Sequence, residues 1–466
     1  MKFNRLSRGL GLVTVGGLLV AGMTGMNPAL AATKSTLIIG DGVGFSSFNY
    51  NVVNENSTIN ADVSYLTGQG FWYYDNNQKL IANKNFGTYK IVKDVKGDFE
   101  VKYTVKAGQT WSDGTPIDAV DLLLSHVISS SDYSKKAGLG DPSSQAGGKF
   151  VSSAYGGAYD DYVSGLPSLS SDHMSLTIKF TQYQPDWQVQ TPGPFPVHAL
   201  EQLAAGKTTA QSAAENTAAK AQFLSDFTEA YNGNSAAQGR LASMGDHWST
   251  DYNFDDHGYN GANTLIAVGN GAYTAKSFDF DNVVVTLDRN PKYKSGPALP
   301  TSNAVNQIVF KYVADGTASV QALANGDIDV YQGMPGTAGY STLQAMDAAK
   351  QVKLVNGISS TYEHIDLRTG NANGDTGAAY NGPFAASSGQ KGKDLRLAFL
   401  LAFPRYNTMI NELKPFQPSA KLLNSNFAMT TAPYYRAVSN NNGITGTKVC
   451  YAAGGGGGAY VGYTAG

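Results

Sequence analysis

The residues best suited to chemistry crowd into Gly245 to Asn260, where Asp246, His247, Asp251, Asp255, Asp256 and His257 offer carboxylate and imidazole ligands for a metal ion. Their spacing fits no familiar site. Read as a calcium loop from Asp251, the segment has Asp256 where the sharp turn needs glycine and Ala262 where a bidentate glutamate should stand. A turn-rich polar loop is the expectation, with no metal and no cofactor. Gly40-Asp41-Gly42-Val43-Gly44 starts like a dinucleotide-binding turn, but its sixth position is Phe45. Ser46-Ser47-Phe48-Asn49 then opens no apolar-periodic helix that could present its N-terminus to a phosphate. Hydrolytic chemistry lacks its signatures: Gly-x-Ser-x-Gly and His-Glu-x-x-His are absent, and the single Cys450 accompanies no histidine motif. A net charge of −2 over 466 residues gives no broad attraction to nucleic acid or anionic lipid.

The elements around these residues are clearer than the chemistry. Lys2, Arg5 and Arg8 precede an apolar run from Leu10 to Met26, and Ala29-Leu30-Ala31 supplies the small residues of a cleavage site, so residues 1–31 read as a secretory signal. Val20-Ala21-Gly22 begins like a lipobox, but Met23 stands where the acylated cysteine would be. With one cysteine, no intrachain disulfide is available. A chain this long divides into two or three lobes. Thr36 to Gly40 reads as a buried strand. Phe99, Val101, Tyr103 and Val105 alternate with polar residues as a half-buried strand, which Asp113-Gly114 then turns. Asp118 can cap a helix from about Ala119, with Asp121 in its first turn and Ala119, Leu123, Leu124, Val127 and Ile128 as its buried stripe. Ser129 to Gly157 reads as mobile loop, Met174 to Phe180 as a strand, and Ala204 to Tyr231 as a solvated helical pair. Val283, Val285 and Leu287 form one face of a hairpin strand that Asn290-Pro291 breaks. Ile308 to Val330 reads as strand, helix, helix-ending Gly326 and strand, and Tyr362 to Leu367 as a further strand.

Trp111-Ser112-Asp113-Gly114, then Pro116, Ala119 and Asp121, resembles the signature of the family 5 extracellular solute-binding proteins, the peptide-binding and sometimes nickel- or sugar-binding components of ABC importers. Asp118 replaces the usual threonine. Gly269-Asn270-Gly271-Ala272-Tyr273 with Arg289-Asn290-Pro291-Lys292-Tyr293 resembles a second family stretch. Leu323 to Asp329, with Gly326 and Asp329, resembles a third, and the helix carrying Arg396 and Arg405 a fourth, with Pro404 in place of aspartate and Leu395, Ala398, Phe399 and Ala402 as its buried stripe. The resemblance implies a mixed α/β fold, bilobal like the type II periplasmic binding proteins, with an extra lobe and discontinuous domains. Residues 36–75 and 191–367 would form lobe I, 76–190 an inserted lobe II, 368–438 the start of a third lobe, and 439–466 a Gly/Asn-rich tail. It also implies ligand contacts at Phe45, Ser46, Ser47, Tyr133, Tyr362 and His364, and structural roles for the two arginines.

The resemblance fades in Ser439-Asn-Asn-Asn-Gly and Ala453-Gly-Gly-Gly-Gly-Gly-Ala-Tyr, which have no periodicity that could bury a core. The expectation is a truncated or frame-altered third lobe, with the acidic residue that anchors a peptide amino terminus in the missing part. The implied function is a secreted, periplasmic or cell-surface monomeric receptor, with a peptide as ligand and a membrane permease as partner. A nickel chelate or oligosaccharide is the alternative ligand, and a secreted hydrolase or a surface interaction protein the alternative function. N-terminal sequencing of the exported protein should begin at Ala32 or Thr33; an intact Met1 on exported material would refute the signal assignment.

Overall fold

The computed structural model describes residues 35–75, 79–140, 148–152, 157–163, 165–184, 187–301, 304–333, 335–356, 364–371, 378–424 and 435–439. The expected signal segment, Tyr362 and the tail with Cys450 lie outside the described residues. In chain order the elements begin with β1 (Thr36–Asp41), α1 (Thr58–Thr67), β2 (Trp72–Tyr74), β3 (Leu80–Ala82), β4 (Gly87–Val95) and β5 (Asp98–Val105). A 3₁₀ turn, Ala119–Leu122, leads into α2 (Leu123–Val127), then α3 (Ser131–Lys136), α4 (Gly157–Tyr162), β6 (Ser168–Leu169) and β7 (Ser175–Phe180). Three helices follow, α5 (Val197–Ala204), α6 (Ala213–Tyr231) and α7 (Ser235–Thr250), then β8 (Tyr273–Asp279), β9 (Val284–Arg289) and β10 (Gln307–Tyr312). The chain continues through α8 (Gly316–Asn325), β11 (Val330–Gln332), α9 (Thr337–Ala348) and α10 (Gly389–Ala402).

The strands form a five-stranded sheet, β11-β1-β10-β9-β8, a four-stranded sheet, β4-β5-β7-β6, and a ribbon, β2-β3. β1 runs parallel to both β10 and β11, and the remaining pairs are antiparallel. The alternation read in the sequence is real: Phe99, Val101, Tyr103 and Val105 are buried, while Asp98, Glu100, Lys102 and Thr104 are half-exposed. One continuous cluster of buried side chains extends from Phe45 to Phe310 and underlies both large sheets; Val320, Leu343 and Met346 form a separate small one.

A buried polar joint links the two sheets through residues 111–121. Ser112 N–H donates to the Gly269 carbonyl at 2.8 Å, next to β8, and Ala119 N–H donates to the His173 carbonyl at 2.8 Å, next to β7. Gly114 has φ +102°, a left-handed turn conformation that favours glycine. The Asp113 carboxylate accepts from His198 Nε2 of α5 at 2.9 Å, from the Thr115 N–H at 2.9 Å and from Asn216 Nδ2 of α6 at 3.3 Å. Asp118 and Asp121 form a reciprocal capping box, and Lys220 of α6 reaches Asp121 at 2.8 Å and Asp118 at 2.9 Å. Burial works against both partners of that inner pair, pushing the Asp121 carboxyl up. Two carboxylates around one ammonium nevertheless hold Lys220 above its ordinary range, so the charged pair is the state the geometry supports.

Five local expectations need correction. Residues 129–157 are not all loop, because α3 forms within them and Tyr133 plugs into the core. The helices at 204–231 are not a solvated pair: α6 buries Asn216, Lys220, Phe223, Asp226, Phe227 and Ala230, its lysine being neutralised by the joint. Gly245 to Asn260 is not loop throughout, since α7 continues to Thr250 and the turns begin only after it. Residues 364–367 form no strand because no neighbouring strand pairs with them among the described residues. On α10, Leu395, Ala398 and Ala402 are exposed, and only Phe399 is half-buried, against Phe384 and Phe403. Pro404 does end α10, whose last residue is Ala402.

Replacing Lys220 by Met would strand two carboxylates and should lower the unfolding free energy by about 3–5 kcal/mol in urea titrations. Lys136→Met, which removes an exposed i,i+4 pair with Asp132, should leave the curve unchanged. Equal effects would refute the joint's central role.

Candidate functional site

The three parallel strands end in one row. Asp41 of β1 lies opposite Tyr312 of β10 on one side and Gln332 of β11 on the other. The chain leaves β1 toward β10, then crosses back through α8 to β11, and in open α/β sheets ligands bind beyond the carboxyl ends of strands at such a reversal. Gly40 permits the close packing behind the row, since a Cβ there would sit 2.6 Å from Ile328 Cδ1. Asp329 clamps β11 to β1: its carboxylate accepts from Ile38 N–H at 3.0 Å, and its own N–H donates to the Ile38 carbonyl at 2.8 Å. Gly326 ends α8 with φ +79°, setting up that return.

The loop after β1 is fastened from beneath. Phe45 is buried among Phe48, Phe254 and Phe278, with ring centroids 4.9–6.3 Å away. Asn60 of α1 accepts the N–H groups of Ser46 and Ser47 at 3.0 and 3.2 Å through one amide oxygen. Ser46 Oγ donates to Glu55 at 2.6 Å, and Ser47 Oγ donates to Asn253 Oδ1 at 2.8 Å. These side chains hold the loop in place and have their hydrogen bonds met internally. What remains at the surface is Gly42 and Val43, the latter 43% exposed.

Around this tip the chemistry is acidic and amidic. Asp41 Oδ1 accepts the Val43 N–H at 2.7 Å, and Gln332 Nε2 donates to Asp62 of α1 at 2.9 Å. Burial pushes the Asp62 carboxyl up; the Gln332 hydrogen bond opposes this and the Asp41 charge adds to it. Tyr331 is also raised, by burial and then by Asp41 and Asp315. Such a row can receive a cationic or hydrogen-bond-donating ligand. No metal-binding group of three or more His, Cys, Asp or Glu occurs among the described residues.

The other expected contacts fall elsewhere. Tyr133 is fully buried, stacked on Phe227 at 4.8 Å with its hydroxyl donating to the Phe227 carbonyl at 2.8 Å, which corrects the expectation that it faces a ligand. Phe45 and Ser47 are likewise buried. His364 is exposed and pairs with Asp366 at 3.3 Å; Tyr362 lies outside the described residues. Sequence reasoning missed Asp41, Asp62 and Gln332. Asp41 had a signal, as the last residue of a clear strand followed by Gly42, but Asp62 and Gln332 are local helix and strand residues that only the fold brings together.

The stretches that resemble the family are anchored inside the structure. Trp111 is 2% exposed. A Cβ on Gly271 would meet the Leu66 carbonyl at 2.2 Å, Tyr273 donates its hydroxyl to Val305 O at 2.9 Å, and Asn290 Nδ2 donates to Gly271 O at 2.9 Å. Arg289 reaches Pro300 O at 3.3 Å, Arg396 Phe384 O at 2.6 Å, and Arg405 Leu423 O at 2.6 Å. The family model of bacterial extracellular solute-binding proteins, family 5 Middle, matches residues 93–441, most of the chain. The chain belongs to this family. Its mixed α/β, bilobal fold class is the one expected from the sequence. No curated protein matches it.

Similar solved structures include a periplasmic EDTA-binding protein, EppA, at 17% identity and TM-score 0.44, covering 68% of this chain and 46% of that one. The oligopeptide-binding protein AppA of Bacillus subtilis, in complex with a nonapeptide, is 13% identical with TM-score 0.42, covering 66% and 45%. OppA of Haemophilus influenzae, in complex with the peptide RPPGFSPFR, is 15% identical with TM-score 0.42, covering 67% and 48%. The chain thus spans less than half the length of each. No helix among the described residues is long and apolar enough to cross a membrane.

A cavity of about 600 Å³ lies at the opposite end of the five-stranded sheet, lined by residues that include Thr36, Asp288, Arg289 and Gln307. Its polar groups are engaged with one another, Gln307 donating to Asp288 at 2.9 Å, and the strand reversal is remote from it. The strand-end row is therefore the candidate site. Asn60→Ala should leave the Ser46 and Ser47 amides without their acceptor, lower stability by about 1–3 kcal/mol, and speed hydrogen exchange at both amides. Unchanged exchange there would refute the fastening.

Proposed function

We propose that this protein is the extracellular receptor of an ABC importer, holding a peptide at the carboxyl ends of β11, β1 and β10 and handing it to a membrane permease. It works as a monomer and performs no chemistry on its ligand. Family membership supports the transport role, and the observation that carries the ligand reading is the row Asp41, Tyr312 and Gln332 with Asp62 beside it. The acidic edge suits the ammonium of an amino terminus or a basic side chain, while Val43 and the aromatic rings of Tyr312 and Tyr331 offer apolar contact. Main-chain donors and acceptors of the peptide would meet strand-end and loop groups, with hinge closure excluding solvent. Ser46 and His364 sit outside this row, and their contribution would come through loop position or lobe closure.

Calorimetry with mixed short peptides tests the reading. Saturable binding without turnover is expected, with Asp41→Asn weakening peptides that carry a free or basic amino terminus by about tenfold, a loss of ~1.4 kcal/mol. Peptide cleavage, or affinity indifferent to Asp41→Asn and Gln332→Ala together, would sink it.

A further inference from the structure

Glu201 on α5 places one carboxylate oxygen, Oε1, in a buried position without a hydrogen-bond partner. Arg240, the cation whose charge opposes that burial, is already engaged. Arg240 of α7 gives Nε to Asp226 Oδ2 at 2.8 Å and Nη2 to Asp226 Oδ1 at 2.5 Å, and Gln222 donates to the same carboxylate at 3.0 Å. The Asp226 side chain, on α6, is fully buried. α5 packs on both α6 and α7, and Glu201 feels the charges of Asp226 and Arg240 from those two helices; the donors there go to Asp226, while Glu201 Oε1 has none. The remaining charges nearby are committed elsewhere: Glu229 of α6 accepts from Ser225 and Asn234, both at 3.0 Å, and His198 of α5 contacts Asp113. The 3₁₀ turn Thr264–Ala267, which also packs on α5, carries no ionisable group.

We propose that Glu201 is a proton-uptake site through which external pH sets the cohesion of the α5–α6–α7 layer. A neutral Glu201 removes the second buried negative charge beside Asp226. The same layer carries His198, Asn216 and Lys220, so its cohesion is also that of the joint between the sheets. Consistent with this cluster, burial first and Asp226 second push the Glu201 carboxyl up to about 7, with Arg240 only partly opposing them. The sign follows from proton counting. Between an ordinary 4.5 and about 7 the folded chain binds the proton that the unfolded chain releases, so this group's contribution to stability falls as pH rises through that window and is flat above it. His126 acts the other way. Burial lowers its imidazole to about 3, so its contribution is lost as pH falls below 6.5. The wild-type profile mixes the two, and a variant is needed to separate them.

Thermal unfolding of the full chain and of Glu201→Gln at about pH 5 and about pH 8 reads the proposal directly. The variant should raise Tm by about 2–4 °C at the higher pH and leave it unchanged at the lower. An equal shift at both, or a fall at the higher pH, overturns it. If the variant does not fold, a ¹³Cδ titration of glutamate-labelled wild-type protein decides: a glutamate titrating near neutrality supports the site, and all glutamates titrating in the ordinary carboxylate range overturn it.

Discussion

Lys220 and the two aspartates it serves are the constraint on which the rest of this structure rests. A polypeptide that must join a four-stranded sheet to a five-stranded one has to turn somewhere inside the protein, and the turn at residues 111–121 exposes backbone groups to a medium that cannot solvate them. Asp113, Asp118 and Asp121 meet those donors. Three carboxylates in one buried turn would repel one another. Lys220, His198 and Asn216, brought by α5 and α6, supply the opposing charge and donors. The helices are thus docked by polar groups as well as by Phe223 and Phe227, and their position is fixed in angle as well as in depth. Burial tends to raise Asp113, but its hydrogen bonds from His198 and Thr115 hold it below the ordinary carboxylate range, so this part of the joint is lost only as pH falls through that depressed value.

From this joint the geometry of the candidate site follows in steps. Ser112 holds Gly269, Asn270 holds the end of α1 through Gln69, and Gly271 allows the chain to pass against Leu66 and Thr67. α1 is then set against β8, and Asn60 near its start fastens the loop after β1. Asp62, two residues on, reaches Gln332. The proposed binding edge of strand ends is held by a chain of close contacts that begins at the turn of residues 111–121.

Much of the architecture was legible because its causes are local. Alternation along Phe99 to Val105, the Asp118 cap, the Gly326 stop and the break at Asn290-Pro291 each express a period or a backbone preference that a few neighbouring residues determine. The misreadings of polar residues share one cause. The helix that carries Lys220 reads as solvated, and Tyr133, Ser46 and Ser47 as ligand contacts, since each has a polar atom whose partner lies outside its own element. Leu395 and Ala398 looked buried because a helical stripe predicts which residues share a face and not whether anything packs upon it.

The sequence by itself determined β1, β5, β7, β9 and β10, the cap at Asp118, the family and the lack of recognisable catalytic motifs, because those depend on spacing over a few turns or on short matched stretches. Tertiary structure alone decided which polar side chains are structural and which line the candidate site. Asp41, Asp62 and Gln332 become one edge only after β11 pairs with β1 and α1 lies beside them, with Gln332 and Asp62 separated by 270 residues. Hydrogen bonds and charge pairs act over a few ångströms, and such distances between remote residues exist only once the chain has folded.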